Sequence, residues 1–301
     1  MRVFVTGASG WIGSAVVPEL LGAGHQVVGL ARSDASAAAL AATGAEVLRG
    51  DLDDLDTLRA GAANSDGVIH LAFIHDFTQF EASVQADARA IETMGTALAG
   101  SGKPLVIASG TPALPGRVAT ERDESAPGGP VASRDANAQT ALGMAARGVR
   151  SSVVRLPRSV HGDGDEHGFV PRLIGVARDK GVSGYVGDGA SRWPAVHRLD
   201  AAQLFRLALE QAPAGSVLHA VADEGVPVRD IAAVIGRHLH LPVASLPAED
   251  FGFLGAVFAV DQPASSVLTR ELLGWRPAQP GLIEDLDKGH YFRTPPPDQP
   301  R

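Results

Sequence analysis

The chain has 301 residues, contains no cysteine, and carries 26 lysines and arginines against 34 aspartates and glutamates, a formal charge of −8. This length is enough for one large domain or two modest ones. The absence of cysteine excludes disulfides and cysteine-ligated metals, and the acidic balance argues against a dedicated nucleic-acid-binding protein. The residues ahead of Thr6-Gly7 are too few for a signal-peptide core, and no apolar run reaches the roughly 18 residues that a membrane span needs. We therefore expect a cytoplasmic protein without nucleic-acid or membrane partners, and the sequence leaves a homodimer open.

Short apolar runs alternate with segments of helical periodicity through the first half of the chain. The runs that predict strands cover residues 3–5, 27–30, 46–48, 68–72, 105–108 and 152–156. The segments that predict helices cover residues 12–21, 36–42, 77–99 and 134–146. Such alternation is typical of βαβ units, and it predicts an α/β fold with a doubly wound, parallel sheet.

Three glycines follow the first predicted strand and open the first predicted helix. Glycines in this place let a backbone approach a pyrophosphate, and the helix N-terminus supplies N–H groups and a positive dipole end to bind it. Because a strand precedes the motif and a helix follows it, we favour a bound dinucleotide over an ordinary tight turn. The residues assigned to cofactor binding here are Gly7, Ser9, Gly10, Trp11, Ile12 and Gly13.

The end of the second predicted strand indicates which dinucleotide binds. Sites that prefer NAD usually place a carboxylate there for the ribose diol, whereas Arg32 offers a guanidinium for a 2′-phosphate and Ser33 adds a hydroxyl. We therefore expect NADP (as NADPH) in preference to NAD. In the rival interpretation Asp34 binds the ribose and Arg32 is a solvated surface residue. Asp51 and Leu52, just after the third strand, would lie beside the adenine.

The string Thr6-Gly7-Ala8-Ser9-Gly10-Trp11-Ile12-Gly13 resembles the fingerprint of the extended and atypical short-chain dehydrogenases/reductases, the superfamily of the NAD-dependent epimerases and dehydratases. Further matches occur in order at residues 50–52, 68–72, 155–157, 161–165, 196–201 and 272–277. The resemblance covers nearly the whole chain. It implies a Rossmann-type doubly wound parallel sheet with a smaller C-terminal substrate-binding region. It also implies that the cofactor contacts Leu71, Ala72 and Leu156.

The regular alternation weakens after Pro157, and this change suggests the domain organisation. We assign residues 1–156 to a dinucleotide-binding domain to which residues 196–222 return. Residues 157–195 and 223–293 are assigned to the substrate-binding region. Residues 294–301 hold four prolines and are expected to form a flexible tail.

The chain departs from that superfamily at its usual catalytic signature, a tyrosine four residues before a lysine. The two tyrosines are Tyr185 and Tyr291, and neither is followed four residues later by a lysine. In the helix that should carry the signature, Arg134 stands in the place of the lysine and Pro130 in the place of the tyrosine. Arg134 is a fixed cation that can bind cofactor ribose or phosphate, but it cannot relay a proton. A solvated residue at the helix start is the alternative interpretation of Arg134.

Other side chains near the predicted carboxyl edge of the sheet are candidates for the catalytic site. Ser109 and Thr111 follow the fifth strand, where the superfamily's catalytic serine or threonine lies, and their hydroxyls can hydrogen-bond a substrate oxygen. His75 follows the fourth strand, and histidines titrate near neutral pH, so it is our candidate general acid. A structural pairing of His75 with Asp76 is the alternative. Residues 161–167 carry oxygen and imidazole groups, but their spacing matches no metal template, so we expect no metal site.

These features predict an oxidoreductase that transfers a hydride between NADP(H) and a small carbonyl or alcohol substrate without a catalytic tyrosine. An epimerase or dehydratase that acts on nucleotide sugars, which the resemblance also covers, is one alternative. A non-catalytic NADP(H)-binding sensor or partner-binding protein is another, and the missing tyrosine is its main support. Fold-level analogy does not name the substrate.

Overall fold

The central feature of the structure is a parallel sheet built from the apolar runs of the sequence. It is seen in a computed structural model, which describes residues 1–74, 79–114, 116–125 and 132–293. The strands are β1 (Arg2–Thr6), β2 (Gln26–Ala31), β3 (Glu46–Arg49), β4 (Gly67–His70), β5 (Pro104–Gly110), β6 (Arg150–Leu156), β7 (Ser159–His161), β8 (Ser183–Tyr185), β9 (Arg192–His197), β10 (Ser216–His219), β11 (Asp223–Pro227) and β12 (Val243–Ser245). In the described residues the large sheet has the order β10-β6-β5-β4-β1-β2-β3, and all of its pairings are parallel. The predicted doubly wound sheet is confirmed.

Helices cover both faces of this sheet, as the alternation of the sequence requires. They are α1 (Gly13–Gly22), α2 (Asp34–Ala42), α3 (Leu55–Ala63), α4 (Phe80–Leu98), α5 (Ala132–Gly143), α6 (Phe169–Lys180), α7 (Arg198–Gln211), α8 (Val228–Leu239), α9 (Gly255–Phe258), α10 (Val267–Leu273) and α11 (Leu282–Asp287), with 3₁₀ turns at Met144–Arg147, Ala248–Leu254 and His290–Phe292. One core lies between the sheet and α1 with α7, and the other between the sheet and α3, α4 and α5. In the part of the chain that is described, no helix combines the length and apolarity needed to cross a membrane.

The segments after β6 build a smaller region beside the carboxyl edge of the large sheet. Strands β7, β9 and β11 pair in one sheet, and β8 pairs with β12. Trp193 of β9 is fully buried, and its ring packs against the rings of Phe258 and Phe169 at centroid distances of 5.1 and 6.0 Å. Helix α7 returns to pack on α1, and β10 extends the large sheet next to β6.

Candidate cofactor and substrate site

The turn between β1 and α1 lies directly against the end of β4. Gly7 has a φ of +66°, and a Cβ atom there would lie 2.6 Å from the Ala72 nitrogen and 2.8 Å from the Leu71 carbonyl carbon. Both the backbone conformation and the neighbouring chain therefore exclude a side chain at this position. The same close approach brings Leu71 and Ala72, two predicted cofactor residues, to the glycine turn.

The other two glycines of the motif serve different purposes. A Cβ atom on Gly13 would lie 2.1 Å from the Gly7 oxygen, so the first turn of α1 packs directly on the turn before it. Apart from its chain neighbours, a Cβ atom on Gly10 would meet only the Gly7 oxygen of the described chain, at 3.2 Å. Gly13 thus allows the helix to pack, while Gly10 leaves space for a ligand to approach the backbone. The adjacent Ile12 packs its side chain into the core under α1.

A cavity of about 260 Å³ lies in front of the turn. Its lining residues are Ser9, Gly10, Trp11, Ser14, Gly164, Asp165, Glu166, His167 and Arg198. The Arg198 guanidinium lies over the Trp11 ring, 4.4 Å from its centroid, and the Trp11 indole N–H donates to the Val160 oxygen at 2.8 Å. The turn that leads into α1 and the Arg198 side chain therefore line one cavity, where the pyrophosphate of a dinucleotide could bind. We did not predict Arg198 from the sequence, although it opens α7 within the matched segment 196–201.

The Asp165 carboxylate also lines this cavity and is hydrogen-bonded to backbone N–H groups of its own loop. Asp165 accepts hydrogen bonds from the N–H groups of His167 at 3.3 Å and Gly168 at 2.8 Å. Burial raises the pKa of Asp165 above its ordinary value, although these N–H groups act in the opposite direction. The repulsion that this carboxylate would exert on a bound anion is therefore reduced.

Two arginines, rather than one, lie at the carboxyl ends of β2 and β3. Arg32 is exposed just after β2, and the Arg49 guanidinium at the end of β3 donates to the Ser33 oxygen at 2.7 Å. Arg49 also forms an ion pair with Asp34 at 3.0 Å. The Ser33 hydroxyl accepts a hydrogen bond from the Ser36 N–H at 3.2 Å and so caps α2. The sequence predicts a cofactor contact for Arg32 and Ser33 but not for Arg49, because only the pairing of β2 with β3 brings Arg49 beside them.

The segment after β3 shapes this end of the site through its backbone. The Asp51 carboxylate accepts hydrogen bonds from the N–H groups of Asp53 at 2.9 Å and Asp54 at 3.1 Å, which forms a tight turn. Leu52 is buried in the core between the sheet and α3 with α4. The predicted place of both residues beside an adenine stays a prediction.

Two hydroxyl side chains occupy the carboxyl end of β5. Ser109 and Thr111 are 4% and 7% exposed, and neither hydroxyl has a hydrogen-bond partner among the described residues. The Thr111 N–H donates to the oxygen of Leu156, the last residue of β6, at 3.0 Å. Buried hydroxyls are normally hydrogen-bonded, so two such groups without partners at a sheet edge indicate a place where a ligand atom or water binds.

Arg134 lies in the first turn of α5. Its guanidinium lies over the Phe73 ring, 4.1 Å from the centroid, and burial lowers its pKa although the nearby charges of Asp87 and Asp135 favour the charged form. Arg134 is thus partly buried rather than fully solvated, and its role toward a cofactor stays a prediction. His75, Pro130 and the side chain of Ser133 lie outside the described residues.

A buried chain of polar side chains connects the glycine turn with α4 and α5. Thr6 Oγ1 shares a hydrogen bond with His70 Nδ1 at 2.7 Å, and His70 Nε2 shares one with Asp87 at 3.0 Å. The Asn137 amide donates to the second Asp87 oxygen at 2.7 Å. Burial acts to raise the pKa of Asp87, but the hydrogen bonds from His70 and Asn137 and the charge of Arg134 outweigh it and lower the pKa below its ordinary value. His70 is almost fully buried, and it bridges Thr6 and Asp87 through both ring nitrogens.

Comparison with known proteins places the chain in a family. Its sequence matches the NAD dependent epimerase/dehydratase family over residues 3–220. The chain belongs to this family. Among its relatives, Uncharacterized protein C2A9.02 of Schizosaccharomyces pombe is 51% identical over 298 residues, which cover 97% of this chain and 100% of the relative. The resemblance drawn from the glycine motif is thereby confirmed.

Two further members of the comparison bear on chemistry. A 4-hydroxy-2-methyl-3-oxo-4-farnesyl-3,4-dihydroquinoline-1-oxide ketoreductase of Stigmatella aurantiaca is 30% identical over 237 residues, which cover 76% of this chain and 70% of the relative. The solved structure of MoeE5 in complex with UDP-glucose and NAD has a TM-score of 0.76 and 27% identity, covering 95% of this chain and 96% of that chain. This chain is thus similar both to a protein named as a ketoreductase and to one whose structure was solved with a nucleotide sugar and NAD.

The open space at Gly10 generates the first prediction. We expect Gly10→Val to abolish dinucleotide binding while the chain stays folded, because the added side chain would fill the space that a pyrophosphate needs. Titration calorimetry with NADPH measures the binding, and circular dichroism on heating measures the fold. Gly22→Val, at a helix position with no other atom within 4 Å of its Cβ, is the matched control. Unchanged NADPH affinity in Gly10→Val would show that the motif is a turn without a ligand.

The buried carboxylate of Asp87 generates a second prediction. We expect Asp87→Asn to lower the free energy of unfolding by about 1–3 kcal/mol at about pH 7, because it removes a charged acceptor from buried partners. Since the pKa of the folded carboxyl lies below that of the unfolded chain, this stabilisation is present above about pH 4 and is lost as the pH falls below it.

Urea unfolding near neutral pH and at about pH 3 checks this expectation. Asp179→Asn, on the exposed face of α6, is the control for a general effect of removing one negative charge. If the difference between wild type and Asp87→Asn were the same at both pH values, the account of this carboxylate would be wrong.

Proposed function

We propose that the chain is an NADP(H)-dependent oxidoreductase that interconverts a small carbonyl compound and its alcohol. The observation that carries the proposal is the pair of buried hydroxyls of Ser109 and Thr111, which lack a partner among the described residues and lie at the same sheet edge as the glycine turn. In an open parallel sheet, ligands bind at this edge. Family membership and the relative named as a ketoreductase support the same chemistry.

The proposed reaction adds a hydride to the carbonyl carbon and a proton to the carbonyl oxygen. When bound, the dihydronicotinamide supplies the hydride. The hydroxyls of Ser109 and Thr111 donate hydrogen bonds to the carbonyl oxygen, where negative charge develops during the transfer. Arg134, at the start of α5, carries a fixed positive charge, which favours binding of the cofactor ribose or phosphate.

We further propose that no tyrosine donates the proton. The Tyr291 hydroxyl accepts from the Gly162 N–H at 3.1 Å, and burial raises its pKa well above the ordinary value, which disfavours proton release. Tyr185 packs at the margin of the core of the smaller region, beside α6 and α8. Our candidate general acid stays His75, because the ordinary titration range of an imidazole suits a general acid near neutral pH.

NADP is the proposed cofactor because two guanidinium groups stand at the adenosine end of the cleft. A 2′-phosphate carries two negative charges that Arg32 and Arg49 can neutralise together. The rival carboxylate, Asp34, already pairs with Arg49, which reduces its capacity to bind a ribose diol. The exposed position of Arg32 leaves its donors accessible to a ligand.

The cofactor preference yields a third prediction. NADPH should bind more tightly than NADH, and Arg32→Asp should weaken NADPH binding by about 1.5–3 kcal/mol, the range for the loss of a hydrogen bond to a charged group. Arg49→Gln should weaken NADPH binding more than NADH binding. Calorimetric titrations with both nucleotides measure this, with Arg59→Gln as a control because Arg59 is an exposed arginine on α3 that pairs with Asp56. Equal affinity of the wild type for the two cofactors would contradict the proposed preference for NADP.

The proton-donor assignment yields a fourth prediction. Tyr185→Phe and Tyr291→Phe should each keep most of the turnover, whereas removal of a true general acid typically costs about 10²–10⁴-fold in rate.

The other candidate residues should each affect a different kinetic parameter. Ser109→Ala and Thr111→Ala should lower kcat, and Arg134→Ala should mainly raise KM. Loss of an acting His75 should also flatten the pH–rate profile between about pH 6 and 8. Ser152→Ala is the matched control, since its buried hydroxyl also lacks a described partner but lies deeper in β6 on the other face.

The assay is NADPH oxidation with a panel of ketones, aldehydes and imines, with UDP-glucose as a further test compound. Turnover of a ketone or aldehyde supports the proposal. Conversion of UDP-glucose without net NADPH oxidation would instead make the chain a nucleotide-sugar epimerase, and tight NADPH binding without any turnover would favour a sensor. If Tyr185→Phe alone abolished turnover while NADPH still bound, the account of the catalytic site would be wrong.

A further inference from the structure

Arg158 is a partly buried arginine where the chain passes from the large sheet into the smaller region. It lies in the short link between β6 and β7, and its guanidinium approaches the rings of Phe169 and Trp193, with 5.9 and 5.6 Å to their centroids. It donates hydrogen bonds to the Val257 oxygen and to Gln262 Oε1. A guanidinium has five N–H donors, so three of them have no acceptor among the described residues.

The charge of Arg158 has no counterion in the described chain, unlike the charges of its neighbours. Arg192 donates to both carboxylate oxygens of Asp261, at 3.0 and 2.8 Å. Arg155 is surrounded by the negative charges of Asp135, Glu124, Asp123 and Glu121. For Arg158, burial alone lowers the pKa to about 10, and no carboxylate counters this effect. Burying an unpaired charge is costly, and such a cost is usually met by a function or a ligand.

One hydrogen-bonded side chain connects Arg158 with the proposed reaction site. Gln262 accepts from Arg158 through Oε1 and donates through Nε2 to the Thr111 oxygen at 2.7 Å. Gln262 is 8% exposed, so this bridge is buried. Arg158 is therefore linked to the Thr111 backbone through one buried amide. The indole N–H of fully buried Trp193, whose ring Arg158 approaches, also lacks an acceptor among the described residues, so a second unused donor lies nearby.

We propose that Arg158 binds an oxyanion group of the substrate, a carboxylate or a phosphate. The inference rests on the proposed function for the identity of the reacting carbonyl, and it narrows the substrate to compounds that carry both a carbonyl and an anionic group. The planar guanidinium can bind either oxyanion through two parallel N–H donors, and the aromatic rings exclude water from the contact. The anionic group of the substrate then serves as the counterion of Arg158. This contact fixes which end of the substrate faces Thr111.

The test measures anion binding without turnover, so that its failure is distinct from failure of the proposed reaction. Sodium acetate and inorganic phosphate are titrated into the NADPH-loaded wild type at ionic strength held constant with potassium chloride, with the melting temperature as the readout. We expect a saturable rise with at least one anion. Arg158→Gln should weaken that binding by at least about tenfold, the size of effect expected for a lost charged hydrogen bond. Arg192→Gln, the matched control beside it, should retain the binding, and Arg158→Lys should retain part of it.

A response to acetate alone assigns a carboxylate, a response to phosphate alone assigns a phosphate, and a response to both supports the shared chemistry. No saturable response in the wild type, or equal binding by Arg158→Gln, overturns the proposal. If Arg158→Gln is unfolded, Arg158→Met serves instead, since an apolar side chain of similar length fits between the aromatic rings. NADPH affinity, measured on the same samples, should be unchanged in Arg158→Gln, because the glycine turn does not depend on Arg158.

Discussion

The structure depends on the close approach of the β1–α1 turn to the end of β4. No side chain fits at Gly7, where the backbone of Leu71 and Ala72 is within 3 Å of a Cβ position, and none fits at Gly13 against the Gly7 oxygen. This packing aims the first turn of α1 at the cavity and leaves the space at Gly10 empty of protein. Thr6, immediately before the turn, extends the same contact into the hydrogen bonds of His70 and Asp87.

The chain as a whole is acidic, but the cleft at the carboxyl edge of its sheet is lined by arginines. Arg32 and Arg49 lie at the ends of β2 and β3, and Arg198 lies over Trp11 in the glycine turn. Arg134 lies over Phe73 beyond β4, and Arg158 is linked through Gln262 to the Thr111 backbone. The formal charge of −8 is therefore an average that hides this distribution. A local concentration of positive charge in a cleft attracts anionic ligands and raises their local concentration. The chemistry we propose, with an anionic cofactor and an anionic substrate, follows from the same distribution.

Much of the large sheet could be predicted because its strands are short apolar runs between helices of clear periodicity. The runs at residues 3–5 and 105–108 lie within β1 and β5, since both strands are buried on two faces and leave no polar alternation to read. The smaller region could not be predicted in this way. Its strands β7, β8 and β12 have three residues each, too few for a period to appear.

The sequence does not reveal Arg49, Arg198 and Arg158 as site residues, because their neighbours come from distant parts of the chain. The polar role of His70 could not be predicted either, because Asp87 and Asn137 lie far from it in the sequence.

The proposed placement of the 2′-phosphate, the pyrophosphate and the nicotinamide can be observed in a crystal structure of the protein with NADP⁺ and a small oxo acid. The account predicts the 2′-phosphate within hydrogen-bond distance of Arg32 and Arg49, and the pyrophosphate in front of Gly10 beside Arg198. It also predicts that the nicotinamide faces the hydroxyls of Ser109 and Thr111. A ribose bound by Asp34 with the phosphate in solvent, or a nicotinamide directed away from both hydroxyls, would contradict it.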